Sequence, residues 1–274
     1  MGESGGGPIY KGLGKIPDRA LFLFAGLVYL FFYAPIFVMV FFSFNESRST
    51  QVWGGFSLKW YGELLRDQSV LDAFKTSMIV GVTATAIATV IGTLTALALT
   101  RHRFRAKTFA DSTIYAATVM PEIVVGVSLL VFFVAIQFAL GITTIVIAHV
   151  AFTISFVTIV VRARLSGMDQ SLEEAAQDLG ANPVTTFLRV TLPLILPGVM
   201  AGALLAFTLS FDDFVITFFV AGVGSSTLPL KIYSMIKFGV SPVINALSTV
   251  VMVSTMVLIL GGGRILARRQ ENAS

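Results

Sequence analysis

Cysteine is absent from the 274-residue chain, which excludes disulfides and thiolate metal sites and leaves redox chemistry silent about compartment. Charge is scarce: Asp, Glu, Lys and Arg make up 12% of the residues against 55% hydrophobic, a balance that fits no soluble domain. A phosphate-binding loop is missing as well. Gly14-Lys15 lacks the glycine five residues upstream, where Ile9 stands, and the Ser or Thr that would follow, so the chain offers no such site for a nucleotide. No metal-ligand set accompanies the histidine of the apolar runs, His149, and neither a metal nor any other cofactor is expected.

What is present is apolar sequence recurring almost end to end, with a mean hydropathy of +0.86. It predicts one integral membrane domain: all-α, a bundle of about six transmembrane helices in a lipid bilayer. The net charge of +4 is then a topological signal, since Lys and Arg collect on the cytoplasmic side, and nucleic acid is not implied.

The first run, Ala20 to Phe44, follows Lys11, Lys15 and Arg19 and so starts inside; it is too long for a cleaved signal segment and ends in Ser-Phe-Asn. A mixed-charge outer loop, Asn45 to Asp72, carries Trp53, Trp60 and Tyr61, which suggest a short interfacial helix. The second run, Phe74 to Thr100, is rich in small residues that allow close helix approach, and the basic cluster Arg101 to Lys107 returns the chain to the cytoplasm. Thr108 to Phe138 is the expected third span, kinked by Pro121, and Thr144 to Val161 the fourth, with Arg162 and Arg164 at its inner end. Leu194 to Val220 and Pro242 to Leu266 complete the set, and Arg264, Arg268 and Arg269 place the C-terminus inside. Segment 221–241 reads equally as a re-entrant stretch or an outer loop. The expected organisation is a flexible cytoplasmic tail, 1–19, a multi-pass domain, 20–266, and a cytoplasmic tail, 267–274.

One polar island, 167–193, interrupts this chain on the cytoplasmic side. Ser171 with Glu174 reads as a capping box, Gly180 as the left-handed stop, and Asn182-Pro183 as the start of a second helix that Pro193 and Pro197 are expected to end. Ala175, Ala176 and Leu179 supply an apolar face, while Glu173, Glu174 and Asp178 can meet basic groups or the helix-start dipole. The spacing is Glu174-Ala175-Ala176, three residues, Gly180, nine residues, Val190, one residue, Leu192-Pro193. It resembles the EAA loop of permease subunits in binding-protein-dependent ABC importers, with Val190 where isoleucine is usual. The resemblance implies the type I importer permease fold in the cytoplasmic (inner) membrane. It also implies that Glu174, Ala175, Ala176, Leu179, Gly180, Leu192 and Pro193 couple the chain to a separate ATPase dimer. A second, related permease subunit and a periplasmic or extracellular substrate-binding protein are the other implied partners, and the chain itself is a transport subunit, with no catalytic residues.

Asp212 and Asp213 lie late in the fifth run, where a carboxylate costs about 2.5 to 3.5 kcal/mol on insertion scales and so needs a watery cavity, a partner or a route to the surface. Adjacent helical residues point about 100° apart, so one can face a pathway while the other caps or pairs. Glu122, after Pro121, is the other acid; it reads equally as a pathway group or an interhelix partner, and His149 reads as an interhelix hydrogen-bonding residue. The Asp pair segment, Tyr33-Ala34-Pro35, Ser43-Phe44-Asn45, Trp53 and Trp60-Tyr61-Gly62-Glu63-Leu64-Leu65 resemble the polyamine (spermidine/putrescine) importer permeases. That likeness implies a small cationic substrate, with Asp212, Asp213 and Glu122 along its path and Trp53, Trp60 and Tyr61 either offering aromatic faces near the entrance or serving as anchors. Putrescine and spermidine are not separable from these residues. The alternatives are a permease of the same fold for iron, sulfate or another solute, an ATP-independent channel or carrier, and an intramembrane hydrolase built from His149 with Ser210 or the Asp pair.

Overall fold

The computed structural model describes residues 18–49, 52–237, 239 and 241–271. The expected tail 1–19 lies outside these except for Asp18 and Arg19, which open the first helix. The helices are α1 Asp18–Ser43, α2 Lys59–Leu64, α3 Gln68–Arg101, α4 Lys107–Val119, α5 Glu122–Ala135, α6 Ile142–Ser166, α7 Ser171–Asp178, α8 Pro183–Thr186, α9 Leu192–Asp212, α10 Val215–Val220, α11 Leu228–Lys237 and α12 Pro242–Glu271. Among the described residues extended pairing is confined to one isolated bridge, Asn45 with Phe56. Four runs are long and apolar enough to cross a membrane: α1 from Arg19, α3, α6 and the continuous helix Pro183–Asp212. The pair α4–α5 makes a fifth if counted as one bent span, and α12 begins with the shorter apolar stretch Pro242–Val257. The chain is thus an all-α membrane bundle, and each of the six expected runs is helical.

The described residues fall into two compact units, those within 1–64 together with those within 240–249, and those within 65–239 together with those within 250–274. In the first, Asn45 organises the loop after α1. Its side-chain amide donates to the carbonyls of Ser49 and Val52, and its Oδ1 accepts from the backbone N–H groups of Ser47 and Gly54. Buried Trp60 donates from Nε1 to the Asn45 carbonyl at 2.6 Å, and Tyr61 Oη meets Ser43 Oγ at 2.7 Å. Of the three aromatics singled out, Trp60 and Tyr61 stand on the short helix α2 and Trp53 precedes it.

The second unit is held by α3, α6 and α9, which approach closely because small residues face each other. A Cβ on Gly92 would lie 2.8 Å from the Val157 side chain, and one on Gly198 2.7 Å from Arg164 Cβ. Ala88, Ala96, Val157, Leu165, Ile195 and Ala206 form one buried cluster there, and Phe133, Ile145, Ala148, Ile216 and Val220 contribute to a second around α5, α6 and α10.

Three sequence expectations change in the structure. The third span is two helices bent by 111° rather than one kinked helix. Met120 and Pro121 are both extended, as the proline ring requires of the residue before it, and a fresh helix starts at Glu122. Pro193 and Pro197 do not end the helix that starts at Pro183. A π-helical turn, Phe187–Thr191, joins α8 to α9 and shifts the hydrogen-bond register just before Pro193, which takes a position in the first turn of α9 where an N–H is dispensable. The fifth run breaks at Asp213–Phe214, so the acid pair sits at a helix end instead of inside a helix. Segment 221–241 contains α11, whose Leu228 N–H donates to Ser77 Oγ of α3 at 2.8 Å.

Candidate functional site

Two clusters in the second unit carry the residues singled out above. The first is the helix pair α7–α8. Ser171 is not the N-cap of α7 but its first residue; the N-cap is Gln170, itself in helical conformation, and the Asp169 carboxylate accepts the Ser171 N–H at 3.0 Å. Those hydrogen bonds from Ser171 hold the Asp169 carboxyl below the usual carboxylate range. The expected capping box therefore does not form, because an acid two residues upstream reaches the free donor first. The other signals hold: Gly180 has φ +88°, and Asn182 Oδ1 accepts the Thr185 N–H at 2.8 Å with Pro183 next to it.

Leu179 is 90% exposed, with Leu172, Ala175, Val184 and Leu188 exposed around the same turn region, so α7–α8 presents apolar groups outward. Glu174 is exposed too, and Ala176 is half-buried. Leu192 and Pro193 open α9 and belong to the continuous helix from Pro183. Glu173, beside the motif, turns inward. Its Oε2 lies 2.9 Å from Arg101 Nε at the end of α3, and its Oε1 accepts from Thr191 Oγ1 at 2.7 Å. Arg101, read from sequence as part of a basic anchor, is thus also half of a buried ion pair.

The second cluster surrounds the Asp213 break. Asp213 is 8% exposed and serves as the cap that α10 needs: it accepts the Ile216 N–H on Oδ1 at 3.2 Å and the Thr217 N–H and hydroxyl on Oδ2, both at 2.8 Å. His149 Nε2 is 3.1 Å from the same oxygen, and His149 Nδ1 is 2.7 Å from Ser210 Oγ. A carboxylate only accepts, so Nε2 carries a proton toward Asp213, and Nδ1 shares its hydrogen bond with the Ser210 hydroxyl, which can donate or accept. This buried set pins α6, α9 and α10 together at one point. It joins a serine, a histidine and an aspartate, but Ser210 and His149 are buried at 5% and 1% exposure, and Asp213 is already occupied by the turn it caps. The ring is also turned the opposite way to that of a hydrolase triad, with Nδ1 toward the serine. Its geometry is that of a structural brace.

Asp212, its neighbour, is exposed and lines a cavity of about 270 Å³ with Phe211, Phe214, Ile232, Tyr233 and Ile236. The Phe214 and Tyr233 rings lie 4.6 Å apart. The cavity offers one carboxylate among aromatic and aliphatic walls, a combination suited to a protonated amine on an alkyl chain. Glu122 lies within electrostatic range of both aspartates. It gets there because α5 packs on α10 at Gly126, where a Cβ would meet Phe219 at 2.8 Å, and residue 122 is one turn earlier on the same face. The structure thus brings Glu122 from a distant part of the sequence toward the adjacent pair Asp212 and Asp213. His149, Ser210 and Thr217 brace this acid cluster, and Thr217 is a residue that sequence reasoning missed; the signal was an Asp followed at four residues by a Thr inside an apolar run.

The aromatic candidates belong to the first unit. Trp60 is 3% exposed, with Lys59 Nζ 4.5 Å from its ring centroid, and Trp53 stacks on Phe41 with centroids 4.3 Å apart. Trp60 and Tyr61 act as structural members of the Asn45 loop, while Trp53 remains 42% exposed.

A family model described as "binding-protein-dependent transport system inner membrane component" matches residues 88–271. The chain is 43% identical over 245 residues to the putrescine transport system permease protein PotI of Escherichia coli (strain K12), covering 87% of this chain and 86% of that protein. It is 42% identical to the spermidine/putrescine transport system permease protein PotC of the same strain, covering 89% and 92%. Among solved structures, a bacterial ABC transporter involved in the import of the acidic polysaccharide alginate matches with a TM-score of 0.73 at 15% identity, over 96% of this chain and 99% of that one. At that identity the likeness is one of fold, and it agrees with the helix order described above. A membrane bundle with an outward-facing apolar helix pair, matched by this family over two thirds of its length, belongs to the binding-protein-dependent inner membrane components of ABC importers.

Proposed function

We propose that the chain is the permease subunit of an ATP-driven importer of polyamines, with putrescine and spermidine as the substrates to test first. The observation that carries the reading is the Asp212 cavity, a carboxylate among Phe211, Phe214 and Tyr233, in a chain more than 40% identical to permeases named for putrescine and spermidine. An aliphatic diamine has two ammonium groups and an apolar linker. A carboxylate offsets the desolvation of the first, and aromatic faces suit both parts. Glu122 adds a second negative site on the same path, while Asp213 holds the break that aims Asp212 into the cavity.

The apolar knob around Leu179, on a helix stopped by Gly180, is the surface for a separate ATPase, and a solute-binding protein delivers substrate at the opposite face. On this reading α7–α8 and both chain ends face the cytoplasm. Alternating access follows from the usual order of events: ATP binding closes the ATPase pair, the coupling helices move, and the passage formed with a second related permease changes the side to which it opens. Uptake of labelled putrescine and spermidine by membrane vesicles, with the ATPase, the second permease and the binding protein each omitted in turn, tests the proposal. Uptake that persists without the ATPase refutes the driven mechanism, and competition by neutral diols as strong as by diamines refutes the cationic substrate.

A further inference from the structure

Glu173 stands one residue outside the motif that identifies the coupling loop, yet it is the residue that turns inward. Helix α7 has only eight residues, with irregular chain at both ends, and most of its side chains are exposed. Besides the short chain segments that join it to α6 and α8, such a helix passes a load to the spans through the side chains that tie it to them. Glu173 ties it twice: through Oε2 to Arg101 Nε at 2.9 Å, and through Oε1 to Thr191 Oγ1 at 2.7 Å. Arg101 is the last residue of α3, and Thr191 the last of the π turn that leads into α9. The two carboxylate oxygens therefore hold two different spanning helices.

Burial makes the tie specific. The Glu173 and Arg101 side chains are 13% and 12% exposed, and Thr191 is 2% exposed. A desolvated ion pair of this kind contributes little net stability against an apolar replacement, but breaking one side leaves the other charge stranded, so it fixes registry. The polarity is also favourable, since the acid sits in the first turn of α7 and the base in the last turn of α3, each complementing its helix dipole.

We infer that Glu173 is a positioning residue that transmits movement of the coupling helix to α3 and α9 together through Arg101 and Thr191. The inference rests on the proposed coupling of this chain to an ATPase and adds a rigid two-point latch to it. With the latch cut, ATPase binding and hydrolysis persist, and the work is lost between α7 and the spans.

The test uses the complete transporter in proteoliposomes with Glu173→Ala, Thr191→Val and the exchanged pair Arg101→Glu with Glu173→Arg. ATPase co-purification, ATP hydrolysis and putrescine imported per ATP are measured on the same preparations. Glu173→Ala is expected to retain the ATPase and hydrolysis but to import roughly 5- to 30-fold less per ATP, the range of a typical coupling free energy. Thr191→Val gives a smaller loss of the same kind, and the exchanged pair regains import over Glu173→Ala. An unchanged import-to-ATP ratio in Glu173→Ala overturns the latch, as does loss of the ATPase from that variant, which would make Glu173 a docking or folding residue. Failure of the unaltered chain to hold the ATPase sinks the parent reading and the latch with it.

Discussion

Adjacent aspartates with opposite environments give the sharpest test of the acid cluster. Asp213→Ala removes the cap of α10, worth about 1 kcal/mol, and leaves the His149 Nε2 donor buried without its carboxylate, worth about 1 to 3 kcal/mol more. The sum, about 2 to 4 kcal/mol, lowers the thermal midpoint of the purified chain in detergent by roughly 5 to 15 °C on the scale of chains of this length. Asp212→Ala, at an exposed position, changes stability by about 0.5 kcal/mol or less. Its effect falls on uptake, where a lost charge-assisted contact of about 1.5 to 3 kcal/mol corresponds to a decrease of roughly tenfold or more. Near-UV circular dichroism during heating and labelled-putrescine uptake separate the two. Equal losses of stability in both variants, or none in Asp213→Ala, would refute the division into a brace and a pathway acid.

Gly180→Val is expected to insert normally and to lose ATP-driven uptake, because φ +88° strains a β-branched residue although open space surrounds the position. Gly180→Asn, which tolerates the left-handed region, should keep most activity; wild-type uptake in Gly180→Val would remove the turn from the mechanism. Gly92→Leu, forced against Val157, is expected to cost about 1 to 3 kcal/mol and to reduce the yield of folded protein, read by gel filtration in detergent. Asp67 caps α3, and the Ser69 hydroxyl, followed by the Val70 and Ser69 amides, holds its carboxyl below the usual range. Its folded value lies below its unfolded one, so its stabilisation is complete above about pH 4 and fades as pH falls through the folded value. Asp67→Asn keeps a cap without this titration, and a thermal midpoint that falls as steeply as wild type below about pH 4 would contradict that role.

Local signals with a single backbone solution were legible in the sequence. Gly180 stops a helix and Asn182-Pro183 starts one because few conformations serve those turns. Competition between neighbours was not legible. Ser171 and Glu174 satisfy the capping pattern, but Asp169 captures the amide first, and the π turn before Pro193 carries the helix on where the proline alone suggests an end. The acid pair was visible as costly in an apolar run, whereas its division of labour depends on His149, 64 residues away in sequence from Asp213. Trp60 and Tyr61 illustrate the converse: a tryptophan and a tyrosine in an outer loop suit either a cation or a core, and the carbonyl of Asn45 claims one of them.

The helix that runs unbroken from Pro183 to Asp212 has a mechanical consequence. Its 30 residues span about 45 Å, with the exposed apolar turn region at one end and the acid that lines the cavity at the other. A rod of that length converts a tilt of about 5° at its base into a displacement of about 4 Å at its tip, more than the length of a hydrogen bond. The π turn at Phe187–Thr191 sits near the end of the rod that carries the exposed apolar groups, and Pro197 removes a further backbone hydrogen bond in the same half, so the stretch leading to the acid keeps the more regular ladder.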